Sequence, residues 1–319
     1  MSNELKIGTR GSQLALYQAN WVRDQVLQTH PGLKVTLVKI KTTGDRIQDA
    51  PLAKIGGKGL FVKEIEEALL QKRIDLAVHS IKDVPTEFPE ELHLCAITKR
   101  EDPRDVFISR DNKPLKDLQK GAKIGTSSLR RQAQLLHFRN DFEMVPLRGN
   151  VDTRLKKLLT MNLDGIVLAF AGVKRLGLEE KITEILPREV SLPAIGQGAL
   201  GIETRKGDEA VEGRIRFLND PASAIAVSAE RAFLKRLEGG CQVPIAAYGQ
   251  ISGTTLHIEG LVGTMDGRRL IQHRVEGPTE KAESLGIQLA EILLNQGAWE
   301  ILDEIYRGSA PSVSIENAQ

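Results

Sequence analysis

Leu5-Lys6-Ile7-Gly8-Thr9-Arg10-Gly11-Ser12-Gln13-Leu14 is the stretch on which the fold turns. Its first five residues read as a short strand ending in a turn, and from there Leu14, Leu16, Ala19, Val22 and Val26 recur at helical spacing. Val35 to Ile40, rich in β-branched residues, predicts a second strand, Phe61 to Leu70 an amphipathic helix, and Ile74 to His79 a third strand. The pattern then returns. Lys123-Ile124-Gly125-Thr126 repeats Lys6-Ile7-Gly8-Thr9 and leads through serines into another helix. Asp164-Gly165-Ile166-Val167-Leu168 follows a helix over Arg154 to Leu159 as Asp75-Leu76-Ala77-Val78 follows the helix ending at Leu70. Strands alternating with helices predict mainly parallel α/β sheets, here two similar doubly wound lobes.

Glu101-Asp102-Pro103-Arg104 and Leu192 to Gly198 read as crossovers between the lobes, and two crossovers imply a hinge. Beyond about residue 220 the pattern changes to a helix (Ala222 to Leu237), strands around Ile245, Leu256 and Leu270 with an Asp266-Gly267 hairpin turn, and a helix from Lys281 to Leu294. This predicts a separate α+β domain.

The 319 residues suit two or three domains, and 41% hydrophobic with 27% charged residues excludes a disordered or fibrous chain. A net charge of +2 gives no bulk attraction for nucleic acid or an anionic membrane, so any anion must be recognised locally. Two cysteines, Cys95 and Cys241, are too few for a disulfide framework, and Met1 to Ile7 lacks the pattern of a signal peptide. A soluble protein of the reducing cytoplasm is expected.

Several motifs fail on context. Gly196-Gln197-Gly198-Ala199-Leu200-Gly201 matches the dinucleotide fingerprint by letter, yet Pro193 stands where a strand is needed and Ile202-Glu203-Thr204 continues extended where a helix is needed, so a glycine hinge is expected. Gly56-Gly57-Lys58-Gly59 lacks the residues of a phosphate loop and reads as a Gly-rich flap carrying Lys58, within a long loop from Thr42 to Leu60. His79 and Ser80 are neighbours on a strand and face opposite ways, which argues against a base–nucleophile pair. Six scattered histidines in no metal-binding spacing lead to the expectation of no metal site.

The arginines carry more. Arg10, Arg130, Arg131, Arg148, Arg154 and Arg175 all fall in or beside turns at expected strand ends or helix starts, where a doubly wound sheet places its ligand crevice. Thr126-Ser127-Ser128 adds hydroxyl and N–H donors at a helix N-terminus. Guanidinium forks match carboxylates, so the set suits a ligand bearing several of them. Asp83, in a turn closed by Pro85, is a candidate anion for stabilising a cationic intermediate. Cys241, flanked by Gly239, Gly240 and Pro244, fits an exposed reactive or modified thiol, whereas Cys95 within Leu94-Cys95-Ala96-Ile97 fits a small buried hydrophobe.

Thr9 to Leu16, Gly56 to Val62, His79 to Pro85, Gly125 to Arg131, Leu147 to Val151 and Glu238 to Pro244 together resemble the porphobilinogen deaminase (hydroxymethylbilane synthase) family, in order from about residue 5 to about 310. Phe170 and Val173 depart from the residues expected there, which touches packing rather than chemistry. The resemblance implies three domains: residues 1–98 with 199–216, residues 104–192, and residues 221–310, with 311–319 a tail. The first two would be like the lobes of a periplasmic binding protein, and the third would carry the cofactor cysteine.

It also implies a transferase that deaminates four porphobilinogen molecules, joins them head to tail on a covalent dipyrromethane primer, and releases the linear tetrapyrrole hydroxymethylbilane. The primer would be held by a thioether at Cys241. Asp83 would stabilise positive charge at pyrrole nitrogens and on the azafulvenium left when ammonia departs. Arg10, Ser12, Lys58, Ser80, Lys82, Thr126, Ser128, Arg130, Arg131, Arg148, Arg154 and Arg175 would bind cofactor and substrate carboxylates. A monomer without nucleic-acid or membrane partners is expected. A hinged, non-enzymatic carboxylate sensor is the competing reading of the same crevice.

Overall fold

The computed structural model describes residues 3–46, 59, 61–239 and 243–309. Two five-stranded mixed sheets and one three-stranded antiparallel sheet organise them. The first sheet has the order β2-β1-β3-β10-β4, from strands β1 (Glu4–Thr9), β2 (Lys34–Lys39), β3 (Leu76–Ser80), β4 (Leu92–Ile97) and β10 (Leu200–Arg205). The second repeats that plan as β7-β6-β8-β5-β9, from β5 (Asp105–Ser109), β6 (Lys123–Gly125), β7 (Glu143–Val145), β8 (Gly165–Ala169) and β9 (Glu184–Ile185). The repeated Lys-Ile-Gly-Thr segments contribute equivalent strands, β1 and β6, each paired in parallel on both sides.

Neither sheet is as parallel as the sequence pattern suggests. β10 runs antiparallel to β3 and β4, and β5 antiparallel to β8 and β9. The reason lies in the crossovers: the chain leaves β4 and enters the second sheet on β5, then leaves β9 and returns to the first sheet on β10. Each sheet thus takes in one strand from the crossover connections, and no local helix sets its direction.

Alternation along the strands buries both faces. Leu5, Ile7, Leu76, Val78 and Ile202 pack with Ala19, Val22 and Val26 of the helix Gln13–Thr29, while Ala77, Ile40 and Ile74 pack with Ile65, Ala68 and Leu69 of the helix Lys63–Leu70. The Ser12 side chain caps the first of these helices by accepting from Ala15 N at 3.2 Å. In the second sheet Val106, Ile108, Ile166 and Leu168 lie on one face, and Phe107, Ile124 and Val167 on the other, against Leu135 of the helix Leu129–Phe138. Val173 is wholly buried in the first of these clusters and Phe170 packs against it, so both departures from the family pattern are absorbed by packing.

β11 (Ile245–Ser252), β12 (Thr255–Gly263) and β13 (Leu270–Pro278) form the third sheet, and the Asp266-Gly267 turn joins the last two, with Gly267 N donating to Thr264 O. The helices Pro221–Arg236 and Ala282–Leu293 cover it around Phe233. Gly286 permits this pairing, because a Cβ there would stand 2.1 Å from Ala229 O. A C-terminal helix, Trp299–Ser309, has no counterpart in the sequence reading. No helix among the described residues is long and apolar enough to cross a membrane.

The glycine motif at the second crossover requires glycine for its backbone conformation and close packing. Gly196 and Gly198 adopt positive φ (66° and 97°), and a Cβ on Gly198 would lie 2.3 Å from Glu101 O of the first crossover. Glu230, wholly buried in the third unit, ties this crossover to it by accepting from Gly196 N at 2.6 Å, Gly249 N at 2.7 Å and the Arg100 guanidinium at 2.5 Å.

Candidate active site

The crevice opens where the strand order of each lobe reverses, at the carboxyl ends of β1 and β3 facing the loop before the helix Val151–Thr160 and the end of β8. Its volume is about 660 Å³. Arg10, Ser12, Ser80, Lys82 and Asp83 line it from one lobe, and Arg131, Arg148 and Arg154 from the other. Four elements bring these together: the turn after β1, a single 3-10 turn (Ile81–Asp83) directly after β3, and the two helix starts of the second lobe.

Each cation is held. Arg10 stacks on Phe61 at 4.3 Å and is bridged to Asp45, which also accepts from the Thr42 hydroxyl at 2.8 Å. Burial pushes the Asp45 carboxyl up, but its hydrogen bonds and charge contact with Arg10 outweigh that and leave it below the usual range. Arg154 Nε donates to Gly149 O at 2.8 Å. Ser80 Oγ accepts from Gln18 at 2.9 Å, while His79, on the opposite face of β3, pairs with buried Glu203 at 2.8 Å. The two are thus kept apart as neighbouring strand residues must be.

Arg130 and Arg131 share one carboxylate. Asp105, wholly buried at the start of β5, accepts from Arg130 Nη2 at 2.8 Å, Arg131 Nη2 at 2.7 Å, Ser191 Oγ at 2.8 Å and Gln197 Nε2 at 2.9 Å. Burial alone would raise Asp105, but the two guanidinium groups hold it far below the ordinary carboxylate range. Arg131 reaches the crevice; Arg130 instead turns to the second crossover and donates to Leu192 O at 2.6 Å.

Three other predicted residues are also engaged behind the crevice wall. Thr126 Oγ1 accepts from Ser128 N at 3.1 Å, Ser128 Oγ caps the helix Leu129–Phe138 by accepting from Arg131 N at 3.4 Å, and Arg175 donates to Gly198 O at 2.7 Å. Arg175 closes the helix Phe170–Arg175 rather than opening one. Lys58 and Cys241 lie outside the described residues, as do most of the predicted flap and the tail 310–319. Sequence reasoning missed Asp105, Asp45 and Phe61, since a single acid or aromatic carries no signal of the arginine it will meet.

The electrostatics favour an anion. Burial, together with the neighbouring Arg131 and Arg154, brings Lys82 down to about 8 against the opposing pull of Asp83 and Asp105. Burial and then Arg131 bring Arg154 down to about 10. Arg131 Nε, buried, has no hydrogen-bond partner among the described residues. Crowded, half-desolvated cations with a spare donor fit a compact ligand carrying several carboxylates.

Residues 5–213 match the family model described as porphobilinogen deaminase, dipyromethane cofactor binding domain, and residues 224–295 match the porphobilinogen deaminase C-terminal domain. The chain belongs to the porphobilinogen deaminase family. It is 61% identical over 303 residues to the porphobilinogen deaminase of Geotalea uraniireducens, covering 95% of each chain, and 60% identical over 305 residues to that of Geobacter sulfurreducens, covering 96% of each. Among solved structures, the Bordetella pertussis BvgS periplasmic VFT2 domain is similar at 12% identity and a TM-score of 0.41, over 67% of this chain and 86% of that one.

As a porphobilinogen deaminase the protein is a transferase of porphyrin biosynthesis that uses a dipyrromethane cofactor and porphobilinogen as substrate, and it has hydroxymethylbilane synthase activity. The non-enzymatic sensor reading is thereby set aside.

Proposed function

We propose that Asp83 is the catalytic carboxylate of this porphobilinogen deaminase and that Cys241 carries the dipyrromethane through a thioether. The crowding of Lys82, Arg131 and Arg154 around the crevice is the observation that supports the assignment, because it leaves positive charge that acetate and propionate groups would neutralise. When bound, the dipyrromethane supplies the covalent anchor on which the growing chain is held.

The residues divide the remaining work. Arg10, Ser12, Lys58, Ser80, Lys82, Arg131, Arg148 and Arg154 bind and orient carboxylates. Thr126, Ser128, Arg130 and Arg175 act behind them, shaping the helix start and the hinge. Asp83 accepts hydrogen bonds from pyrrole N–H groups of the substrate and offsets the charge that develops as ammonia leaves, in a crevice partly shielded from water. Arg10 exchanges its contact with Asp45 for a substrate carboxylate. Residues 1–98 with 199–216, residues 104–192 and residues 221–310 serve as three domains, of which the first two close on the substrate about the glycine hinge. The same reading makes the enzyme a cytoplasmic monomer.

Intact-mass measurement of Cys241→Ser and Cys95→Ser tests the anchor. The cofactor mass is expected on Cys95→Ser and not on Cys241→Ser; an adduct retained on Cys241→Ser overturns the assignment.

A further inference from the structure

On the outer side of the first lobe, away from the crevice, three potential ligand atoms from distant parts of the chain converge. His93 Nε2 and Cys95 Sγ come from β4, and a Glu212 carboxylate oxygen from the helix Glu209–Ile215; all lie within 4.8 Å of one another. His93 Nε2 and Glu212 Oε1 are 2.8 Å apart. A β-bulge places the cysteine: the pairing of β4 with β10 slips between Ile202 and Glu203, leaving Cys95 without an opposing residue between Ala96 and Leu94.

A second observation points to a ligand. Thr204, opposite His93 on β10, is wholly buried beside this cluster, and its hydroxyl has no hydrogen-bond partner among the described residues. A hydroxyl so placed donates well to a thiolate and poorly to a thiol. Burial, and after it Glu212, push the Cys95 thiol up.

We propose that His93, Cys95 and Glu212 form a binding site for one thiophilic divalent cation of the zinc type. One imidazole nitrogen, one thiolate and one carboxylate suit such an ion and disfavour magnesium or calcium. Thiolate and carboxylate together cancel the charge of a dication, and the largely exposed Arg216 stands 4.0 Å from the other Glu212 oxygen. Binding breaks the hydrogen bond from His93 Nε2–H to Glu212 and the S–H bond, the imidazole proton moves through solvent from Nε2 to Nδ1 so that the ring stays neutral, metal–nitrogen, metal–sulfur and metal–oxygen bonds form, and the thiol proton is released to solvent. Thr204 then donates to the metal-bound sulfur. Half-exposed His93 leaves an entry path and room for water as a fourth ligand.

The test uses the full-length holoprotein, stripped with chelator and titrated with Co²⁺ as a spectroscopic probe and with Zn²⁺ in competition. A thiolate-to-cobalt charge-transfer absorption should saturate at one equivalent and be bleached by Zn²⁺. It should vanish in Cys95→Ser and require at least ~10-fold more cobalt in His93→Gln and Glu212→Gln. Full activity of Cys95→Ser in chelator would show that this variant is folded. Absence of the band in the parent protein, its persistence in Cys95→Ser, or unchanged affinity in the other two variants would each overturn the site.

Discussion

Replacing Asp105 by Asn tests the electrostatic core behind the crevice. The carboxylate is wholly buried and receives four hydrogen bonds, two of them from the guanidinium groups of Arg130 and Arg131. Removing one partner of a buried ion pair costs about 3–5 kcal/mol, because the charge left behind has lost both water and its counter-ion. Here one carboxylate answers two cations, so the upper half of that range is expected. With a urea dependence of about 2–3 kcal/mol/M the unfolding midpoint should fall by ~1.3–2.5 M at pH 7.

The same charge fixes how this difference changes with pH. Asp105 is held below its unfolded value by Arg130 and Arg131 despite burial, so its stabilisation is fully present above the unfolded pKa of about 3.9 and is lost as pH falls toward the folded value. The gap between parent and Asp105→Asn should therefore be constant from neutral pH to about 5 and narrow below about 4. Urea titrations followed by circular dichroism at several pH values measure both quantities. Equal midpoints at pH 7, or a gap that ignores acid, would refute the reasoning.

Asp83→Asn should lower the single-turnover rate of the holoprotein by about a hundredfold to a thousandfold, the usual cost of one preorganised electrostatic contact, with Asp83→Glu falling between; Asn performing as well as Glu would exclude charge stabilisation. Lys82, brought down to about 8 chiefly by burial, is charged below that pH and neutral above it, so KM for porphobilinogen should climb as pH passes about 8. Lys82→Arg, which keeps its charge, should shift that climb upward, and an identical KM–pH profile would show that Lys82 does not bind substrate. Gly198→Ala places a Cβ against Glu101 O at positive φ and should cost ~1–3 kcal/mol, read as a lower melting temperature; an unchanged melting temperature would remove the strain argument.

The sequence by itself determined the strand-loop-helix openings at Leu5 and Lys123, the repeated lobe plan, the rejection of the dinucleotide fingerprint and the hairpin at Asp266-Gly267, because each is written in contiguous residues whose periodicity or turn chemistry has one reading. It also brought Arg10, Ser12, Asp83, Arg148 and Arg154 to one crevice, since all sit at strand ends or helix starts where a doubly wound sheet must expose them. Tertiary structure alone decided the direction of β5 and β10, which depends on where the crossovers deliver the chain.

Tertiary structure also separated Arg130 from Arg131. Adjacent in sequence and bound to the same Asp105, one meets the second crossover and the other the crevice, because helical rotation carries successive side chains to different neighbours. The meeting of His93 and Cys95 with Glu212 was equally invisible. Their spacing matches no metal motif, and only the bulge in β4 and the packing of the helix Glu209–Ile215 beside it bring the three side chains together. Local sequence governs what a segment becomes, whereas contacts between distant segments are set by register and packing.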